Sequence, residues 1–431
     1  MSVIFNRLNK RMLKLILLLS FFHANVTLGD LSFNEALKEI VEKSNERKKS
    51  ALDVELEKQH VSEGKQKFLP NFSGKGALAR RFDTENGYVT QQSAGINSEL
   101  NLFHFGSDSA NLRAKKLQEQ IAAMRVMQTN LEAEYSGALS LLEYIELQRE
   151  VSTIQRVVQL RNASIDLAKR QFGKGQRPMQ DVQKLEVDKL GEEVKLQSYI
   201  FNVNNLRATI STLLHREIEI KPEWPWSLMQ LSRLKFENRN VERLEKLILD
   251  AQISSLNEQI KQQGAEFLPR LDLNSNYGIA QDRTNDQFAR NWTAAFVLTV
   301  PLYDRGRDTT LYRDFIYQRQ KLELDLETLE NRLKYSAQSA TTNLVESLKA
   351  IQFSESATSK SEGLYNYTLQ AFQKGVLSAN DLSLEQHRTY ESQLNANRAY
   401  GHAHRAFVKY CKSQNKSILE TIDKHESSQN E

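Results

Sequence analysis

With 431 residues, 26% of them charged, and only 17 Gly and 6 Pro, the chain is rich in helix-compatible sequence and lacks the punctuation of a compact enzyme. Its formal charge of +4 comes from 58 basic and 54 acidic residues spread without a basic block, which argues against nucleic acid as a partner. The one cysteine, Cys411, excludes a disulfide framework, and it lies far from the position an N-terminal lipid anchor requires.

Residues 1–29 read as a secretory signal peptide: a Lys/Arg-bearing stretch without acids to Lys14, an apolar core from Leu15 to Phe22, then small and polar residues to Gly29. That core is too short to span a bilayer, and no later segment approaches 18 apolar residues. The mature chain is therefore expected to be soluble or to span as a β-barrel.

A first helix is expected from Leu31 to Lys67, with Ser32 as N-cap ahead of Phe33, Ala36, Leu37, Ile40 and Val41 on one face. Phe68-Leu69-Pro70 ends it, because proline cannot continue the helix. A β-hairpin follows at about 71–103. Its clearest alternation sets Ala94, Ile96, Ser98, Leu100 and Leu102 against Ser93, Gly95, Asn97, Glu99 and Asn101. Tilted strands of roughly 9 to 11 residues would cross a bilayer, although a half-buried soluble sheet alternates in the same way.

Two long helices come next, at about 109–172 and 179–215. Ile121, Tyr135, Ala138, Leu142 and Ile145 keep a heptad seam in the first, and Val151, Ile154, Val158, Ile165, Ala168 and Phe172 resume it after a stutter. The short corner from Gly173 to Pro178 makes the pair antiparallel. Residues 216–240, with Pro222, Trp224, Pro225 and Trp226, read as an irregular inter-repeat segment. From 241 to 412 the whole order returns: a hairpin at about 270–303, then helices at about 309–373 and 379–412. Residues 413–431 are expected to be a disordered tail.

The chain thus consists of two repeats, 30–215 and 241–412. Phe68-Leu69-Pro70 recurs as Phe267-Leu268-Pro269, and Leu102-Phe103-x-x-Gly106-x-Asp108 recurs as Leu302-Tyr303-x-x-Gly306-x-Asp308. Phe172-Gly173-Lys174-Gly175 before Asp181-Val182 recurs as Phe372-Gln373-Lys374-Gly375 before Asp381-Leu382. Units of roughly 200 residues are far larger than solenoid repeats, so the duplication is of a fold. No metal, nucleophile or phosphate-loop signature occurs, and no cofactor is implied. His402 and His404 stand two apart on a helix, too divergent to share a metal, and read as solvated. Four strands cannot close a barrel, so strands placed in lipid require further copies of the chain.

In the order and double occurrence of these motifs, from Leu31 to about Lys412, the sequence resembles the TolC family of outer-membrane efflux and secretion channels. The resemblance implies a mainly α fold with a membrane β-barrel. In that family a homotrimer forms a 12-stranded β-barrel in outer-membrane lipid on a 12-helix periplasmic α-barrel. It implies passive conduction, not an enzyme. The partners implied are a periplasmic adaptor (membrane fusion) protein and an inner-membrane pump of RND or ABC type, in tripartite efflux or type I secretion. By the same resemblance Asp381 and its counterpart Asp181 are periplasmic gate residues. The second acidic ring position falls on Leu384, and the family's gate arginine falls on Leu377, leaving Arg177 as a candidate substitute. Lys174, Gly175, Lys374 and Gly375 are the implied adaptor-docking corners. The competing reading is a periplasmic adaptor or coiled-coil scaffold, which would carry one helical hairpin and a larger β-domain.

Overall fold

The computed structural model describes residues 31–421 except 84–86, 218, 233–242, 282–287 and 304; the expected signal peptide lies outside the described residues. In chain order these form α1 (Phe33–Lys43), α2 (Asn45–Gln66), β1 (Asn71–Asp83), β2 (Gly87–Phe103), α3 (Ser107–Gly173), α4 (Met179–Leu214), α5 (Leu228–Ser232), α6 (Leu244–Ala265), β3 (Arg270–Gln281), β4 (Phe288–Thr299), α7 (Arg307–Gln373) and α8 (Ala379–Ser413). The fold is mainly helical. Two compact units share the chain: Met1–Ser44 with Glu132–Asn238 and Gln338–Glu431, and Asn45–Leu131 with Arg239–Ala337.

In the second unit all four strands form one antiparallel sheet in the order β1-β2-β3-β4. The pairing Phe72↔Ser98, Ile96↔Tyr277 and Tyr277↔Trp292 puts alternate residues of every strand on one side. That side carries Phe72, Ile96, Tyr277, Trp292 and Phe296, all exposed. The opposite side forms a groove lined by Asn71, Ser73, Lys75, Asn97, Asn274, Asn276 and Thr293. Gly95 pairs with Gly278 on this polar side, where the backbones approach so closely that a Cβ on Gly278 would lie 2.9 Å from the Ala94 carbonyl. The strands run to 13, 17, 12 and 12 residues, longer than the 9 to 11 expected. Helix α2 packs on the start of α3, where Lys115 pairs with Glu63 at 2.7 Å. Helix α6 joins α3 through Arg113 and Glu258 at 2.7 Å and α7 through Lys246 and Glu330 at 2.6 Å.

In the first unit the heptad seam of α3 is largely the buried one, with Tyr135, Ala138, Leu142, Ile145, Ile154, Ile165 and Ala168 inside. Phe172 is the exception. It is exposed, whereas its counterpart Phe372 is fully buried, a burial that contributes about 1.5–3 kcal/mol.

Three further expectations are corrected. The first helix is two: α1 is closed at its start by a capping box between Ser32 and Glu35 and stops at Ser44, whose ψ of 120° leaves the helical region. The segment after Gln414 does not begin a disordered tail. Ile418 is fully buried, and buried Glu134 accepts from the Ser417 hydroxyl at 3.0 Å and the Leu419 amide at 2.8 Å. His404 is not solvated. It lies between the indoles of Trp224 and Trp226, at centroid distances of 4.8 and 5.5 Å, which pins the inter-repeat segment to α8. The segment is further tied by the Leu31↔Ile220 bridge and by Trp226 against Phe33 and Phe407.

Candidate functional site at the paired helix corners

The two Lys-Gly corners fold alike. In the first, Gly175 at φ 69° ends α3, its amide bonds the Phe172 carbonyl at 2.9 Å, and the Gln176 amide reaches back to Gln171 at 3.0 Å. In the second, Gly375 at φ 79° bonds Phe372 at 3.0 Å and Val376 reaches Ala371 at 3.0 Å. Both are Schellman stops, which place the C′ residue in the left-handed region and so favour glycine there.

After the turns the copies diverge because the residues do. Ser378 caps α8: its hydroxyl accepts from the Asp381 amide at 3.2 Å, and its own amide donates to the Asp381 carboxylate at 3.0 Å. The Ser378 hydroxyl also donates to that carboxylate at 2.6 Å, and the two bonds it receives from Ser378, side chain first and backbone second, hold the Asp381 carboxyl below its ordinary range. In the first copy Pro178 has no hydroxyl and α4 has no side-chain cap. Asp181 instead accepts from Arg177 at 3.0 Å.

Arg177 is the centre of the site. It is buried, and its guanidinium donates to the Gln171 side chain at 2.5 Å, the Phe372 carbonyl at 3.0 Å and the Leu377 carbonyl at 2.7 Å. It also stacks on the Phe372 ring at 3.8 Å. Gln171 adds a bond to the Gln373 carbonyl at 3.0 Å. One side chain of the first corner thus holds two backbone carbonyls of the second. Behind it lies an apolar layer of Ile165, Ala168, Val182, Leu185, Tyr365, Phe372, Ala379 and Leu382.

Residues 249–409 match the family model described as outer membrane efflux protein. Solved structures extend the likeness to about nine-tenths of the chain. The outer membrane protein VceC from Vibrio cholerae has a TM-score of 0.78 at 13% identity, covering 90% of this chain and 96% of that one. The Campylobacter jejuni CmeC outer membrane channel has a TM-score of 0.78 at 12% identity, covering 92% and 89%. The fold is that of an outer-membrane efflux channel. The Neisseria gonorrhoeae MtrE channel, solved in its open state, has a TM-score of 0.75 at 14% identity, covering 90% and 89%. No curated protein sequence matches the chain. At such identities the likeness fixes the fold and leaves the roles of individual residues to the geometry of this chain.

Within the efflux-channel fold, the structure brings Arg177 and Asp181 together and engages Asp381 with its own helix start. Lys174, Gly175, Lys374 and Gly375 are exposed at the tips of the corners, and Leu384 is exposed beyond them. Among the described residues no group of three His, Cys, Asp or Glu is arranged to hold a metal ion, and no helix is long and apolar enough to cross a membrane.

Sequence reasoning missed a second polar layer. Arg161, only 2% exposed, donates to the Ser383 hydroxyl at 2.8 Å and the Gln386 side chain at 2.7 Å. Gln386 donates onward to Ser164 at 2.9 Å, and Ser383 donates to the Asp188 carboxylate. The signal was present: Arg161 falls in the α3 seam between Val158 and Ile165, where an apolar residue belongs.

Proposed function

We propose that the chain is the outer-membrane exit duct of a tripartite efflux or type I secretion system, a trimer that conducts solutes passively from the periplasm. It performs no covalent chemistry. The observation that carries this reading is the sheet: four strands, two unclosed edges, an apolar exposed face and a polar grooved one. Three copies close such a sheet into a 12-stranded barrel with an apolar exterior and a wet lumen. The exposed stripe of Val187, Leu190, Val194 and Phe201 on α4 supplies a helical face for the neighbouring copy. A periplasmic adaptor meets the exposed Lys-Gly corners, and an inner-membrane pump drives transport.

The gate in this reading is the pair of corners, held by Arg177, with Asp181 and Asp381 as its acidic groups. Arg177 fills the role vacated at Leu377, reaching the same place from the other repeat.

The test is reconstitution. The purified chain should require detergent, have the mass of a trimer and give ion-conducting steps in a planar bilayer; a monodisperse monomer without detergent contradicts the duct. Arg177→Leu should raise the mean conductance severalfold at unchanged trimer mass. Conductance equal to wild type would remove Arg177 from the gate.

A further inference from the structure

Resting on the reading of the corners as a gate, we infer that the buried Arg161 layer is the stop that limits gate movement to the end of the bundle nearest the corners. Along the first unit four layers alternate from the corners inward. The Arg177 tie comes first, then the apolar layer around Phe372 and Leu382, then the Arg161 layer, then a second apolar layer of Ile154, Val157, Tyr390 and Leu394. The two polar layers differ in what they hold. Arg177 grips backbone carbonyls at the very end of α7 and ahead of α8, so losing it frees only the turn. Arg161 grips α8 itself, through the Ser383 hydroxyl, the Ser383 carbonyl at 3.4 Å and Gln386.

The Arg161 layer also spans three helices. Arg161 and Ser164 come from α3, Asp188 from α4, and Ser383 and Gln386 from α8. Asp188 balances the guanidinium from 4.0 Å, and Lys184 stands 3.8 Å from the same carboxylate. Sliding α8 along α3 would strand a buried guanidinium away from its acceptors, a cost far above that of shearing apolar side chains past one another. The apolar layer on the corner side has no such directional tie, so α8 can part from α3 up to Leu382 and is arrested at Ser383. The register comes from the planar guanidinium: Nη1 serves the Ser383 hydroxyl and Gln386 together while Nη2 faces the Ser383 carbonyl, which fixes α8 at one residue.

Distance measurement between spin labels in the full-length reconstituted protein tests this. Cys411 is fully buried and its thiol is pushed up to about 12 by that burial, so labels can be directed to exposed sites. One pair, Arg170→Cys with Asn380→Cys, lies on the corner side; a second, Gln155→Cys with Asn395→Cys, lies beyond the layer. In Arg177→Leu the shortest corner-side distance should lengthen while the far distance stays at its wild-type value. Adding Arg161→Leu should lengthen the far distance too and raise the conductance at least twofold over Arg177→Leu alone. A far pair that moves in Arg177→Leu, or one that stays fixed in the double variant, overturns the stop. If the double variant does not assemble, Ser383→Ala with Arg177→Leu makes the same decision, because it removes the acceptor and leaves the charge. A corner pair unmoved by Arg177→Leu speaks against the gate reading itself, and is told apart from failure of the stop by the far pair.

Discussion

Arg177 and Leu377 occupy the same place in two copies of one motif, and the difference sets how each corner behaves. A guanidinium offers five donors in a fixed plane, and here they serve a side-chain amide, a carboxylate and two carbonyls. Arg177→Lys should therefore behave as a loss in conductance recordings, since an ammonium on a flexible stem cannot hold that set. Ser378 carries the opposite asymmetry. Ser378→Ala removes the cap of α8 and should cost about 1 kcal/mol in unfolding experiments, whereas Pro178→Ala in the first copy removes no side-chain cap. Gly375→Ala should also cost about 1–2 kcal/mol through its left-handed backbone, because nothing lies within 4 Å of an added Cβ. At this scale the sequence was only partly legible. The glycines and the acids were visible from the repeat; Gln171 was not, because its counterpart is Ala371 and nothing local marks it as a bridge.

At the scale of elements, the inter-repeat belt is held by the stacked ring of His404. Its nitrogens lie 2.7 Å from the Tyr400 carbonyl and 3.0 Å from the Trp226 carbonyl. Burial lowers its pKa below the ordinary 6.5 against the pull of those two carbonyls, with Arg149 and Arg405 adding to the depression. The folded chain therefore keeps the ring neutral where the unfolded chain takes up a proton. This contribution to stability is complete above about pH 6.5 and is lost as the pH falls through the window down to the folded pKa. The thermal midpoint should drop from pH 7 to pH 5 by more in the wild type than in His404→Asn. Equal drops would show that other groups set the acid sensitivity. The long helices and the hairpins were readable because their periods, heptad and two, persist over many residues. The belt was not, since its order comes from Trp224, Trp226 and Ile220 meeting α8 and Leu31, contacts without a local period. The ordered stretch after Gln414 escaped for the same reason: its polar composition hides one buried residue, Ile418.

For the whole molecule, the sheet is the part that needs company. Its apolar face places Phe296 beside Leu273, and Trp292 beside Tyr277. Phe296→Arg should reduce the fraction recovered in outer membranes, since a cation facing lipid costs about 2–4 kcal/mol near the bilayer midplane. Thr293→Arg, on the grooved side, should leave recovery unchanged while altering ion selectivity. Equal loss from both would mean that the two faces are not sorted as lipid and lumen.

The junction of β2 with β3, where Gly95 meets Gly278, has a kinetic meaning as well. Each hairpin joins neighbours in the chain and closes a short loop, but β2 finds β3 only across the whole of α3, α4, α5 and α6. Closing so long a loop carries a larger entropic cost than local pairing. The two hairpins are thus set to form early and separately, each with unpaired edges, and to meet only after the intervening helices have folded back. During that interval the nascent chain is most exposed to strand exchange with its own copies, which makes the glycine seam the step where assembly and aggregation compete.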